Sequence, residues 1–144
     1  MTQPEEIHDS PTGWVHKHLQ QFLATDGKQS RGATPRLLLT TRGRRSGVLR
    51  RTVLNYWTDG PRFLVVGSNA GSATHPAWYL NVCAEPEVTV QVGAEVFQAR
   101  ASTATADEKA GYWPQIVATM SSYAGFQRKT SRDIPVVILT RLAG

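Results

Sequence analysis

The chain has a single cysteine, Cys83, among its 144 residues, which excludes an internal disulfide and a cysteine-based zinc site. No apolar run approaches the ~20 residues that span a bilayer. The opening MTQPEEIHDS is polar and acidic, with none of the character of a signal peptide. Histidine is scarce. His16 and His18 are two apart, so they do not share a helical face as zinc ligands would. There is no GxSxG elbow, no Walker sequence and no GxGxxG. Paired carboxylates are missing from the glycine-marked loops. These absences imply no metal and no resident nucleophile, so any reactive group is expected to come from a bound cofactor. A reducing, cytoplasmic setting is the default expectation for such cysteine usage.

Acidic residues are missing over one long interval, from Asp26 to Asp59. That interval holds Lys28, Arg31, Arg36, Arg42, Arg44, Arg45, Arg50 and Arg51, half of the 16 basic residues, within a net charge of +5. Charge this uneven implies an anionic partner. A nucleic acid would call for aromatics interleaved with the basic residues, and here the aromatics fall mostly outside the interval, so no nucleic-acid partner is expected.

The length fits one domain that buries roughly two-thirds of its unfolded surface. Residues 1–12 read as a flexible tail, and residues 13–30 as an amphipathic helix with Trp14, Val15, Leu19, Phe22 and Leu23 on one face. Such a helix packs on the domain or, through residues 13–28, touches a membrane surface. Residues 31–144 form the main domain. Strands are expected at RLLLTT, LRRTVLNYW, RFLVVGS, VTVQV, VFQARAS and IPVVILTRL. HPAWYLNVCAEP reads as a helix with His75 as its N-cap and Pro76 first. TADE, from Thr105, is a capping box for a helix that Pro114 should kink or divide. SSYAGFQRKTSRD reads as loop or irregular helix. Six strands joined mostly as antiparallel neighbours argue for a mainly β, α+β fold: a small barrel with helices at its openings.

Two stretches carry binding chemistry. TTRGRRSG places Arg42, Arg44 and Arg45 in a turn, where guanidinium forks and glycine-freed N–H groups suit a phosphate. GSNAGSATHPAWYLN combines small residues, a helix N-terminus and the flat side chains of Trp78 and Tyr79. Ser68, Asn69 and Asn81 can hydrogen-bond ring heteroatoms. A merely solvated basic hairpin, and a core role for Trp78 and Tyr79, are the competing readings. Met120, Tyr123 and Phe126 recur every three residues, either as core or as a ligand wall.

LLLTTRGRRSG, HPAWYLNV, GYWPQIV and RDIPVVIL, in this order, resemble the deazaflavin-dependent nitroreductase and quinone reductase family. The resemblance implies a six-stranded split β-barrel like that of FMN-binding oxidoreductases. It also implies coenzyme F-420, a deazaflavin with a phosphate and a polyglutamate tail, with FMN as the alternative in the same fold. By position, Arg44, Arg45 and Ser46 would hold the phosphate, and Arg50, Val53, Leu54 and Asn55 would run beside the deazaflavin. Val66, Gly67, Ser68 and Asn69 would line the ring, with Ala77, Trp78, Tyr79 and Asn81 closing the other side. Ser68 and Tyr123 would serve catalysis, and Met120, Tyr123 and Phe126 the substrate pocket. Asn69 stands where members active on nitroimidazoles carry lysine, and Met120 and Phe126 where they carry tyrosine, which implies a different acceptor. The expected activity is hydride transfer to a quinone-like acceptor; a non-catalytic deazaflavin-binding protein is the rival. The expected location is cytoplasmic, with a peripheral place on the membrane if the first helix lies there.

Overall fold

The computed structural model describes residues 22, 23 and 35–142. The expected tail lies outside the described residues, as does most of the first helix. Of that helix, Phe22 and Leu23 are described and helical, and Phe22 is buried against Leu38 and Val53. No helix among the described residues is long and apolar enough to cross a membrane.

Seven strands form one antiparallel sheet: β1 (Arg36–Arg42), β2 (Leu49–Asn55), β3 (Trp57–Asp59), β4 (Arg62–Val66), β5 (Glu87–Val92), β6 (Glu95–Thr103) and β7 (Val136–Arg141). Their order is β2-β1-β5-β6-β7-β4-β3. The segment expected as one strand, LRRTVLNYW, is two. It changes partner after Tyr56: the Tyr56 N–H still donates to the Pro35 carbonyl at 3.0 Å, continuing the β1–β2 register, and Trp57 then pairs with Leu64 across a new hairpin. The sheet curls into a half-barrel, the split-barrel class expected from the sequence.

Beyond the helical Phe22 and Leu23, three α-helices occur among the described residues: α1 (Ala77–Ala84), α2 (Ala106–Thr119) and α3 (Ser122–Lys129). Pro76, not His75, is the N-cap of α1, because its extended backbone (ψ 151°) precedes the first helical residue. The capping box forms as read: Thr105 Oγ1 accepts from Glu108 N–H at 3.2 Å, and the Glu108 carboxylate accepts from Thr105 N–H at 2.9 Å. Pro114 does not divide α2, which runs unbroken from Ala106 to Thr119. Pro114 and Ala110, whose carbonyl loses its helical donor, are both exposed, so water can take the bond.

The apolar runs explain the layers. Val137 and Leu139 of β7, with Val65 of β4, point into an inner core shared with Trp78 and Val82 of α1. The alternate residues Val136, Ile138, Leu64 and Val66 point the other way, onto Ile116 of α2 and Tyr123 of α3. Strands covered on both faces need no polar alternation, which is why VVIL and RLLL read as continuous apolar segments. Burying one such side chain is worth about 1.5–3 kcal/mol.

Candidate functional site

A cavity of about 850 Å³ opens between the β1–β2 hairpin, the loop after β4, the start of α1 and the α2–α3 junction. Its longest wall is β2. Every residue from Arg50 to Asn55 lines it. Successive residues of a strand point to opposite faces, so six in a row can line one space only if the strand presents its edge. Among the described residues β2 is such an edge, paired with β1 alone at the end of the sheet.

The β1–β2 turn closes one end. Gly43 N–H donates to the Val48 carbonyl at 2.7 Å, and Gly47 N–H to the Gly43 carbonyl at 2.8 Å. Gly47 has a positive φ of 74°, which suits glycine. A Cβ on Gly43 would lie 2.9 Å from Ser46 Oγ. Arg44 is tied down: Asn81 Oδ1, on α1, accepts from its main-chain N–H at 3.2 Å and from its Nη1 at 3.1 Å. Asn81 is buried, and its amide donates to Thr41 Oγ1 at 3.2 Å. Arg42 Nη1 braces the turn by donating to the Gly47 carbonyl at 2.7 Å.

Three other arginines reach the cavity without a partner. Among the described residues, Arg45, Arg50 and Arg36 make no ion pair or side-chain hydrogen bond, and each lines the cavity. Arg45 and Arg50 sit toward the turn, and Arg36 lies at the other end of the hairpin, opposite Asn55. Unpaired guanidinium groups around one cavity favour an anion that spans its length.

The opposite wall comes from the loop after β4. Ser68, Asn69 and Ala70 line the cavity, and Asn69 and Ala70 have left-handed backbones, with φ of 44° and 54°. For non-glycine residues that conformation costs about 1–2 kcal/mol each. Gly71 follows at φ 75°, where a Cβ would meet the Phe126 carbonyl oxygen at 2.8 Å. The loop therefore packs tightly on α3. The Ser68 hydroxyl has no protein partner among the described residues. The Asn69 amide donates to the Thr74 carbonyl at 3.1 Å.

Tyr123, at the start of α3, reaches the cavity beside Met120. The Asn55 amide donates to Tyr123 Oη at 3.4 Å and contacts Met120 Sδ at 3.2 Å. Burial pushes the Tyr123 phenol up, only partly offset by the Asn55 hydrogen bond. The phenol therefore keeps its proton, and with Asn55 donating to its oxygen the O–H is free to donate into the cavity.

Of the residues singled out in the sequence, the cavity gathers Arg44, Arg45, Ser46, Arg50, Val53, Leu54, Asn55, Val66, Ser68, Asn69, Ala77, Trp78, Asn81, Met120 and Tyr123. Besides Arg42, which braces the turn, three stay off its wall. Gly67 is buried beneath the loop, where its N–H donates to the Pro135 carbonyl at 2.9 Å. Tyr79 turns away from Trp78, its ring perpendicular to the indole, and its hydroxyl meets Thr103 Oγ1 at 2.9 Å. Phe126 packs edge-on behind Tyr123, at 5.8 Å between ring centroids.

Sequence reasoning did not single out Thr41, Thr52, Arg51 and Pro76, which line the cavity, or Arg132, which supports it from behind. Arg132 donates to the carbonyls of Gly67, Ser68 and Ser72 and to His75 Nδ1. Since arginine only donates, the His75 proton sits on Nε2. Burial, helped by the Arg132 charge, pushes the His75 pKa down. Among the described residues no cluster of side chains could hold a metal ion.

Comparison with known proteins places this geometry. A sequence model of the F420H2-dependent quinone reductase family matches residues 14–141. An F420H2-dependent quinone reductase of Mycobacterium tuberculosis is 40% identical over 119 residues, covering 80% of this chain and 79% of that one. A structure described as a domain-swapped dimer superposes with a TM-score of 0.69 at 34% identity, covering 90% of this chain and 99% of that one. A structure of an F420-H2 dependent reductase superposes with a TM-score of 0.67 at 37% identity, over 73% of this chain and 93% of that one.

Proposed function

The chain belongs to the F420H2-dependent quinone reductase family, and on that premise we propose that it is an oxidoreductase using reduced coenzyme F-420 to transfer a hydride to a quinone-like, electron-poor acceptor. The observation that carries this reading is the cavity itself: a wall formed by β2, with Trp78 also in the lining, ringed by the unpaired guanidinium groups of Arg36, Arg45 and Arg50. A planar ring with a phosphate and a chain of carboxylates matches that donor set. The volume, about 850 Å³, falls in the usual range of cofactor pockets.

Arg44, Arg45 and Ser46 would hold the phosphate, with Asn81 fixing the Arg44 fork in place. The β2 edge and Trp78 would flank the ring. The bound cofactor would supply the two electrons and the hydrogen as hydride. This chain's own work is to exclude water, align the acceptor and stabilise the negative charge that grows on its oxygen. We assign that task to Ser68 Oγ and Tyr123 Oη, which belong to residues lining the cavity, and the raised pKa of Tyr123 keeps its proton available at neutral pH. Asn69 and Met120 shape the acceptor side without adding further hydroxyls, so quinones are favoured over bulky nitroimidazoles.

Fluorescence titration with reduced and oxidised F-420 and with FMN, followed by turnover on a panel of quinones, tests this reading. Saturable F-420 binding and quinone-dependent oxidation are expected. Binding of FMN alone overturns the cofactor assignment, and F-420 binding without turnover on any quinone makes the protein a carrier.

A further inference from the structure

Arg132 lies between α3 and β7, outside the cavity wall, yet its side chain holds the loop that carries Ser68, Asn69 and Ala70. Nε donates to the Ser72 carbonyl at 2.8 Å and Nη2 to the Ser68 carbonyl at 2.7 Å. Nη1 donates to the Gly67 carbonyl at 3.2 Å and to His75 Nδ1 at 3.0 Å. One planar cation thus spans the loop from Gly67 to His75. Arg132 is itself anchored, since Gln127 Nε2 donates to its carbonyl at 2.9 Å and its N–H donates to Thr130 Oγ1 at 3.3 Å.

Peptide geometry carries this arrangement to the cavity. In a trans peptide the carbonyl and the following N–H point in opposite directions. The Gly67 and Ser68 carbonyls face Arg132, so the N–H groups of Ser68 and Asn69 face away from it, on the side where these residues line the cavity. Neither N–H has a protein acceptor among the described residues. The backbone runs from right-handed at Ser68 (φ −73°, ψ −34°) to left-handed at Asn69 (φ 44°). That alternation makes successive N–H groups converge on a negative atom. Two non-glycine residues hold an unfavourable conformation here, as expected where surrounding structure over-determines the backbone at a working site.

We propose that Arg132 is a positioning residue: by drawing the carbonyls of Gly67, Ser68 and Ser72 to itself, it presents the N–H groups of Ser68 and Asn69 as a donor pair for an oxygen or ring nitrogen that gains negative charge in the cavity. The identity of that charge as one arising in hydride transfer rests on the function proposed above; the donor pair rests on the loop alone. A lysine cannot replace the fork, because a single ammonium has no planar array to meet four acceptors spread along a loop.

The test compares Arg132→Lys and Arg132→Ala with the wild type. In the ligand-free protein, amide exchange at Gly71 and Ser72, whose N–H groups bond to the Ser68 and Asn69 carbonyls, is expected to quicken about tenfold or more in both variants. Exchange at Ile134, which donates to Gln127, should hold. Turnover of menadione with reduced F-420 should fall about tenfold or more in kcat, with a smaller change in KM. Added guanidinium ion should restore part of the loss in Arg132→Ala and leave the wild type unchanged. If the alanine variant does not fold, the lysine variant decides. A lysine variant equal to wild type in exchange and turnover overturns the proposal, as does a loss of turnover with unaltered exchange. Faster exchange in the variants, with a wild type that binds no F-420, overturns the proposed function and leaves the tether standing.

Discussion

Asn81 Oδ1 lies 3.2 Å from the main-chain N–H of Arg44 and 3.1 Å from its guanidinium, so one buried carboxamide fixes both ends of that arginine. Asn81→Ala should lower stability by about 1–3 kcal/mol, because it strands a buried hydroxyl and a turn N–H. Asn81→Asp should be milder on stability and harsher on function. Its carboxylate would pair with Arg44 and occupy the cation meant for the ligand, cutting affinity for an anionic cofactor about tenfold or more. Urea midpoints and fluorescence titration separate the two effects.

The turn arginines differ in their partners, and so should their replacements. Arg42 donates to the Gly47 carbonyl, whereas Arg45 has no partner among the described residues and Arg44 faces the cavity. Replacing Arg44 and Arg45 together by alanine should weaken F-420 binding at least about a hundredfold, from two charge-assisted contacts. Arg42→Ala should cost less than about tenfold. Equal losses would mean a diffuse basic surface instead of a clamp.

Tyr123→Phe should leave cofactor affinity unchanged and lower turnover on quinones about tenfold. It should also alter the alkaline limb of stability. Burial raises the folded pKa of Tyr123 above its ordinary value of 10.0. The associated stability is therefore complete below about pH 10 and lost as pH rises through the folded value. Wild type should lose more stability than Tyr123→Phe between pH 9 and pH 11 in urea melts.

His75 acts at the other end of the scale. Its folded pKa lies below the ordinary 6.5, through burial and then the Arg132 charge. Its contribution is present above about pH 6.5 and fades as pH falls through the folded value. Thermal melts at pH 7.5 and pH 5 should show a drop in wild type that His75→Gln reduces.

The left-handed run 69–71 predicts opposite signs at adjacent sites. Gly71→Ala adds backbone strain and a Cβ 2.8 Å from the Phe126 carbonyl oxygen, and should cost about 3 kcal/mol. Ala70→Gly relieves strain at φ 54° and should stabilise by about 0.5 kcal/mol, the small net left after glycine's entropy. Melting temperatures on the two variants decide it.

The fold was largely legible because its strands are written as apolar runs and its α2 cap as a capping box. The break after Tyr56 was not, since it depends on Trp57 leaving β1 to pair with Leu64, and nothing in LRRTVLNYW marks where one partner strand gives way to another. In the site, the position of Tyr79 off the cavity wall has a simple cause. At about 100° per helical residue, Ala77, Asn81 and Trp78 fall within one sector of about 100° that faces the cavity, and Tyr79 points well outside it. Phe126 lies off the wall for another reason: a three-residue spacing predicts contact with Tyr123, which it makes, but not that both line the cavity. Arg132 was invisible as a supporting residue because the chain separates it from Ser68 by 64 positions, and an arginine in a polar loop reads as solvated.

The edge-on presentation of β2 has a consequence for how this cavity tolerates change. A wall of side chains is rewritten one substitution at a time, whereas a wall of peptide groups repeats about every 3.3 Å whatever residues carry it. Apart from Arg50, Val53 and Asn55, whose side chains have work of their own, the sequence of β2 can drift while the row of donors and acceptors stays the same. Proline is the exception, because it deletes a donor. The strand is thus a reusable ruler: new ligands can be gained at the rim, around Asn69 and Met120, without redrawing the surface on which they are laid.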